Sequence, residues 1–270
     1  MANKEKELPD YSEPPVVEVA CGVIFDPLRN LLAPHFGLLW EQFREEYPQC
    51  QEVPPLTAVS ESFEQGGAQR LRVGFGTLPP LPRIWFHHKS GNGLIQLQRD
   101  RFHYNWRKVG PLDAYPHYES VIGCFKKHFE QVEAFLRDNS MPEIRPVQYE
   151  MTYVNHIELT SPLGAVGAVF PDFDWQGNRA RFLPVPEAIN WQMAFPMPSQ
   201  SGRLHVTVSN AIRVHDKKPI INLELTARGV PRESPKDRVG EWFDIAHEWI
   251  VRGFTDLTSD NVHELWKRTR

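Results

Sequence analysis

The chain has three cysteines, Cys21, Cys50 and Cys124. They are too widely spaced for a zinc knuckle or a redox pair, and an odd count argues against a disulfide framework, so all three are read as reduced and structural. Long apolar runs are also missing. No stretch approaches the roughly 20 residues of a membrane-spanning helix, and Met1 to Leu8 has no apolar signal core, so the expected address is the cytoplasm, with no membrane role. An excess of charge of one sign is absent: 30 basic and 34 acidic residues leave a formal charge of −4, and nothing in the total demands nucleic acid. A glycine-rich phosphate loop, a Gly-x-Ser-x-Gly elbow and a His-Glu-x-x-His helix are missing too, which weighs against an enzyme, and no cofactor is expected.

What is present is an ordinary globular composition, 41% hydrophobic and 24% charged over 270 residues, enough for one large domain or two small ones. The stretch Gly93 to Arg107 organises the rest. Ile95 and Leu97 alternate with Gln96 and Gln98, Arg99-Asp100-Arg101 turns the chain, and Phe102, Tyr104 and Trp106 alternate with His103, Asn105 and Arg107. Successive strand side chains point to opposite faces, so this is a hairpin with one greasy and one polar side.

In chain order, residues 1–13 read as a flexible arm. Val16 to Phe25 is a strand apolar on both faces except at Glu18, hence central or well covered. Pro34 opens a helix with Phe36, Leu39, Trp40, Phe43 and Tyr47 on one stripe, and Pro48 stops it. Gln49 to Gln69 reads as a long mobile loop, and Arg70 to Phe75 and Arg83 to His88 as strands. Pro116 opens a helix whose series Tyr118, Val121, Ile122, Phe125, Phe129, Val132, Phe135 and Leu136 keeps a 3.6-residue period. Strands follow at 148–159, 191–195, 204–214 and 221–227. A short helix runs from Ser161-Pro162 to Phe170, a loop from Pro171 to Glu187, and a last helix from Asp237 to about Leu257 carries Trp242, Phe243, Ala246, Trp249, Ile250 and Phe254.

The two halves, 14–140 and 141–270, repeat this order, strand, helix, four strands, helix and then strand, short helix, three strands, helix, which reads as a duplication at about 135 residues. The expected fold is α+β. Duplicated β-α-β(3-4)-α units join edge to edge into one curved antiparallel sheet with the helices on one face. That order of elements resembles the saddle of the TATA-box-binding protein, with two separate α+β domains as the alternative. TATA-box binding itself is not expected, because minor-groove kinking needs apolar wedges and a basic excess, whereas glutamates are mixed among these arginines.

The polar face supplies the candidate ligand-binding residues: Arg70, Arg72, Gln96, Gln98, His103, Asn105 and Arg107 from the first half, and His156, His205 and Arg213 from the second. Gln148, Glu150, Thr152, Thr207, Asn222, Glu224 and Thr226 belong to the same face. Such a surface can hydrogen-bond a peptide, a polar ligand or a phosphate backbone, and it is also what the wet side of any antiparallel sheet looks like. His87-His88 cannot share a metal from adjacent strand positions, Asp172 and Asp174 read as a turn rather than a cation site, and His215-Asp216 reads as a hairpin turn.

Tyr11 to Val19, Trp40 with Tyr47-Pro48, Gln96 to Arg107 with Tyr115 to Tyr118, and Tyr153 to Ile157 resemble a sporadically distributed prokaryotic family of about 250 residues with no defined function. The resemblance spans most of the chain, and Gln96 to Arg107 is its most specific part. It implies a laterally moving gene, such as those of defence or toxin-neutralising loci, and carries over no catalytic residues. The functional expectation is a non-enzymatic binding protein holding a protein partner on the polar face or the long loops 49–69 and 171–187. Alternatives are a nucleic-acid or nucleotide binder using Arg70, Arg72, His103 and Arg107, and a metal-dependent hydrolase or nuclease using Asp172 and Asp174 or His103 and His156.

Overall fold

A computed structural model describes residues 7–57, 61, 81–158, 166–173, 180–184, 186, 189–230 and 238–270. In chain order the elements are β1 (Val16–Phe25), α1 (Ala33–Phe43), β2 (Gln49–Val53), β3 (Arg83–His87), β4 (Gly93–Gln98), β5 (Arg101–Arg107), α2 (His117–Asp138), β6 (Pro146–Glu158), α3 (Val166–Val169), β7 (Asn190–Pro196), β8 (Arg203–Ile212), β9 (Pro219–Gly229), α4 (Arg238–Leu257) and α5 (Asp260–Leu265). Among the described residues nine strands join one sheet in the order β2-β3-β4-β5-β1-β6-β9-β8-β7, and each of their ladders is antiparallel. The protein is therefore α+β.

Two apolar faces on β1 make it central, and it pairs with β5 on one side and β6 on the other. The greasy side packs on α2 and α4. Their stripes meet where Phe125 faces Phe243 at 4.9 Å between ring centroids and Phe102 of β5 at 5.9 Å. Val19, Cys21, Ile95, Phe102, Phe125 and Phe243 are all buried, and each fully buried Phe or Ile contributes about 1.5–3 kcal/mol. The cysteines are unpaired: Cys21 is buried and Cys50 lies on the exposed edge strand β2. No helix among the described residues is long and apolar enough to cross a membrane.

Three expectations change. The hairpin turns through two residues only, Arg99 and Asp100, since Gln98 already pairs with Arg101. The stretch expected as loop from Gln49 contains β2, an edge strand on β3 that Gln-Cys-Gln-Glu-Val does not announce, because its pairing is backbone-driven and its side chains are exposed. Residues 7–13 are not a loose arm: the Tyr11 ring packs against Phe254 at 5.5 Å, its hydroxyl bonds Thr255 Oγ1 at 2.8 Å, and its backbone bridges to Arg268. The strand expected at Arg70 to Phe75 lies outside the described residues, as does the start of the helix expected at Ser161.

Candidate functional site

Strand pairing lines up the polar side chains in rows across the sheet. One row runs Trp85, Gln96, His103, Gly22, Glu150, Arg228 and Arg203, crossing β3, β4, β5, β1, β6, β9 and β8. The next contains Asn105, Ala20, Thr152, Thr226 and His205, and a third contains Arg107, Glu18, Glu224 and Thr207. The small residues of β1 let larger neighbours lean over it. A Cβ placed on Gly22 would stand 2.1 Å from Cδ2 of His103, so the imidazole occupies the space that any other residue would need.

One polar network spans β3, β4, β5 and β1. Arg83 and Trp85 Nε1 donate to Gln96 Oε1 at 2.8 and 3.0 Å, Gln96 Nε2 donates to Asn105 Oδ1 at 2.7 Å, and Asn105 Nδ2 donates to Glu18 Oε1 at 2.5 Å. The guanidinium carbons of Arg83 and Arg107 lie 5.2 and 6.0 Å from the Trp85 ring, within cation–π range. Burial pushes the Glu18 carboxyl above its usual range, against the pull of the Asn105 hydrogen bond and the Arg107 charge. Burial also pushes His103 down to about 4, so its ring is neutral at neutral pH. Among the described residues, Arg83 Nε, Arg107 Nε and His103 Nδ1 are buried there without a hydrogen-bond partner.

A second network spans β6, β9 and β8 and is closed from above. Arg228 Nε donates to Glu150 at 3.0 Å, and the Thr152 and Thr226 hydroxyls meet at 2.9 Å. The carboxylate of Glu61, from the connection after β2, is held by Arg203 and by His205 Nε2, the latter at 2.7 Å. Burial alone would raise the Glu61 pKa, but the bonds from His205 and Arg203 outweigh it and the net shift is downward. The same connection touches the face twice through its backbone. Leu56 N–H donates to Gln98 Oε1 at 2.9 Å while Gln98 Nε2 donates to Leu56 O at 3.2 Å, and Glu61 N–H donates to Gln148 Oε1 at 2.8 Å.

The face expected to be open and wet is therefore covered at its centre. Gln96, Gln98, His103, Asn105 and Gln148 are all buried: Leu56 lies against Gln98 and Glu61 against Gln148, while Gln96 and Asn105 bond each other. Of the sequence candidates, Gln96, Gln98, His103, Asn105 and Arg107 converge, and His205 joins them across the sheet through Glu61. His156 pairs with Asn222 further along the face, and Arg213 is engaged by Asp216 of its own hairpin and by Glu158 at the end of β6, so these two stand apart from the cluster. Arg70 and Arg72 lie outside the described residues.

No protein-family model and no curated protein matches the chain.

Sequence reasoning passed over Glu18, Glu61, Arg83, Trp85, Arg203 and Arg228. Glu18 was the single acid on an otherwise apolar strand, which was the signal available. Among the described residues no three His, Cys, Asp or Glu side chains converge on a common metal position. His87 bonds Gln51 and His88 bonds Ser90; Asp172 is exposed on a single 3₁₀ turn, and Asp174 lies outside the described residues. The arrangement offers amide side chains that grip a backbone, and arginine with histidine that grips a carboxylate.

Proposed function

We propose that the chain is a non-catalytic binding protein that holds an extended, acidic segment of a partner protein on the polar face of its sheet. The observation that carries this reading is that the face already holds polypeptide in this manner. Gln98 engages both backbone groups of Leu56 as a neighbouring strand would, Gln148 takes the amide of Glu61, and Arg203 with His205 takes the Glu61 carboxylate. The two contact points are five residues apart in the chain and three strand spacings apart on the sheet, about 14 Å. That is within the reach of an extended chain of five residues, about 17 Å. The connection thus behaves as an internal stand-in for a ligand, and a partner segment of like chemistry competes with it. Among the described residues Arg83 Nε and Arg107 Nε are buried donors with no acceptor, and they lie beside the same polar cluster.

In this reading the partner is a product of the same defence or toxin-neutralising locus and the complex forms in the cytoplasm. This part of the reading rests on the sequence resemblance alone. We also infer a duplicated unit folded as a saddle: β1 and β6 lie side by side at the seam, from which β5, β4, β3 run outward on one side and β9, β8, β7 on the other, with α2 following β5 and α4 following β9.

The test is affinity enrichment from the native host with the wild-type chain and with a charge-reversed Arg203→Glu/His205→Glu chain. A partner bound by the first and lost by the second supports the reading. A chain that stays alone at native concentration, or a partner bound equally by both, overturns it, and a captured nucleic acid released steeply by salt would replace it.

A further inference from the structure

On the helix side of the sheet, α2, α4 and the segment from Leu8 to Val16 enclose a cavity of about 220 Å³. Tyr153 and Asn155 of β6 and Leu225 of β9 line it from the sheet, and Ile250 and Val251 line it from α4. Aromatic rings supply part of its wall. Tyr118 stacks on His247 with centroids 4.0 Å apart and an interplanar angle of 6°, and Tyr115 meets Tyr153 edge to face.

The hydrogen-bonding capacity of these walls is only partly used. The hydroxyls of Tyr115 and Tyr153 bond each other at 2.8 Å, and no other bond to either is present among the described residues. Two hydroxyls sharing one hydrogen bond leave one O–H donor without an acceptor. His247 makes ring contacts but no hydrogen bond among those residues, and burial pushes its pKa down to about 4, so its neutral ring carries a free donor and a free acceptor. The charged residues at the cavity, Asp10, Glu119 and Arg270, are at least partly exposed, and Asp10 is engaged by Thr269 and Arg270. Among the described residues no fully buried charge lines the cavity to offset the desolvation of an ion.

We propose that this cavity binds an uncharged, planar heteroaromatic molecule of one or two fused rings carrying a hydrogen-bond acceptor. The size follows from the volume: a dry cavity of about 150 Å³ holds a benzene ring, and this one is larger. The aromatic side chains of Tyr118, Tyr153 and His247 in its wall suit a flat aromatic guest, and the spare tyrosine proton selects a guest with an acceptor atom.

Quinoline, with its ring nitrogen, and indole, with an N–H instead, are matched probes for titration by NMR at neutral pH. Quinoline is expected to shift resonances of Tyr153, His247 and Leu225. Val251→Trp fills the space and should abolish binding of both probes. Tyr115→Phe/Tyr153→Phe removes both hydroxyls together, a change that costs little stability because neither is left unpaired, and should weaken quinoline by about tenfold while leaving indole unchanged. Three results overturn the proposal: no shift with millimolar quinoline, equal binding by folded Val251→Trp protein, or quinoline affinity unaffected by the double Phe change.

Discussion

The imidazole of His103 stands over the backbone of Gly22, its Cδ2 only 2.1 Å from where a Cβ would be. This contact ties β5 to the central strand on the face that carries the polar cluster. Gly22→Ala is therefore expected to destabilise the fold by about 1–3 kcal/mol, as overpacking in a dense interior does. His103→Ala should relieve most of that cost, so urea midpoints of the two single variants and the double variant should be clearly non-additive. Additive midpoints would mean that the ring moves aside without penalty.

Asn105 links Gln96 to Glu18, and removing it takes a hydrogen bond from a half-buried carboxylate and leaves the buried Gln96 amide without its acceptor. Asn105→Ala is expected to cost about 2–3 kcal/mol in unfolding free energy, more than an exposed polar truncation. It should also raise the Glu18 pKa further, since the Asn105 hydrogen bond opposes the upward push of burial. A carbon-detected NMR titration of the Glu18 carboxyl reads this directly, and an unmoved pKa would refute the role given to Asn105.

Stability should fall in acid through His103. Burial lowers its pKa from 6.5 to about 4, with Glu150 pulling upward and Arg101 and Arg83 adding to the depression. The folded state holds the neutral ring while the unfolded chain takes a proton near 6.5, so this contribution is complete above 6.5 and lost as pH falls toward about 4. The loss is at most about 3 kcal/mol. His247 acts in the same direction over the same window. Glu18, with a raised pKa, acts oppositely as pH rises above 4.5. In His103→Gln the decline across the acid window should be shallower, and urea midpoints measured against pH in both proteins check it.

Glu61 anchors the connection after β2 to the sheet. Glu61→Gln should weaken the hold of Arg203 and His205 and speed hydrogen exchange at the Glu61 and Leu56 amides by several-fold, while Gln98→Ala should act on Leu56 alone. Under the proposed function, Glu61→Gln also raises affinity for the partner, because the internal competitor is released more easily. Unchanged exchange at both amides would mean that these side chains do not hold the segment.

The amino-acid sequence alone determined which side chains share a face. Period-two alternation in Gly93 to Arg107 and the 3.6-residue stripe from Tyr118 to Leu136 are local, so they are legible without a fold, and the hairpin and α2 stand where those patterns put them. The doubly apolar β1 likewise announced its central place. Tertiary structure alone decided that the polar face is covered. The bonds that do so join Leu56 to Gln98, Glu61 to Gln148 and Glu61 to His205, groups 42, 87 and 144 residues apart, and no local pattern encodes them. It also decided the exposed strand β2, formed by backbone pairing without an apolar pattern, and the cavity between Tyr153 and His247, whose walls come from segments that meet only after the sheet and helices have packed.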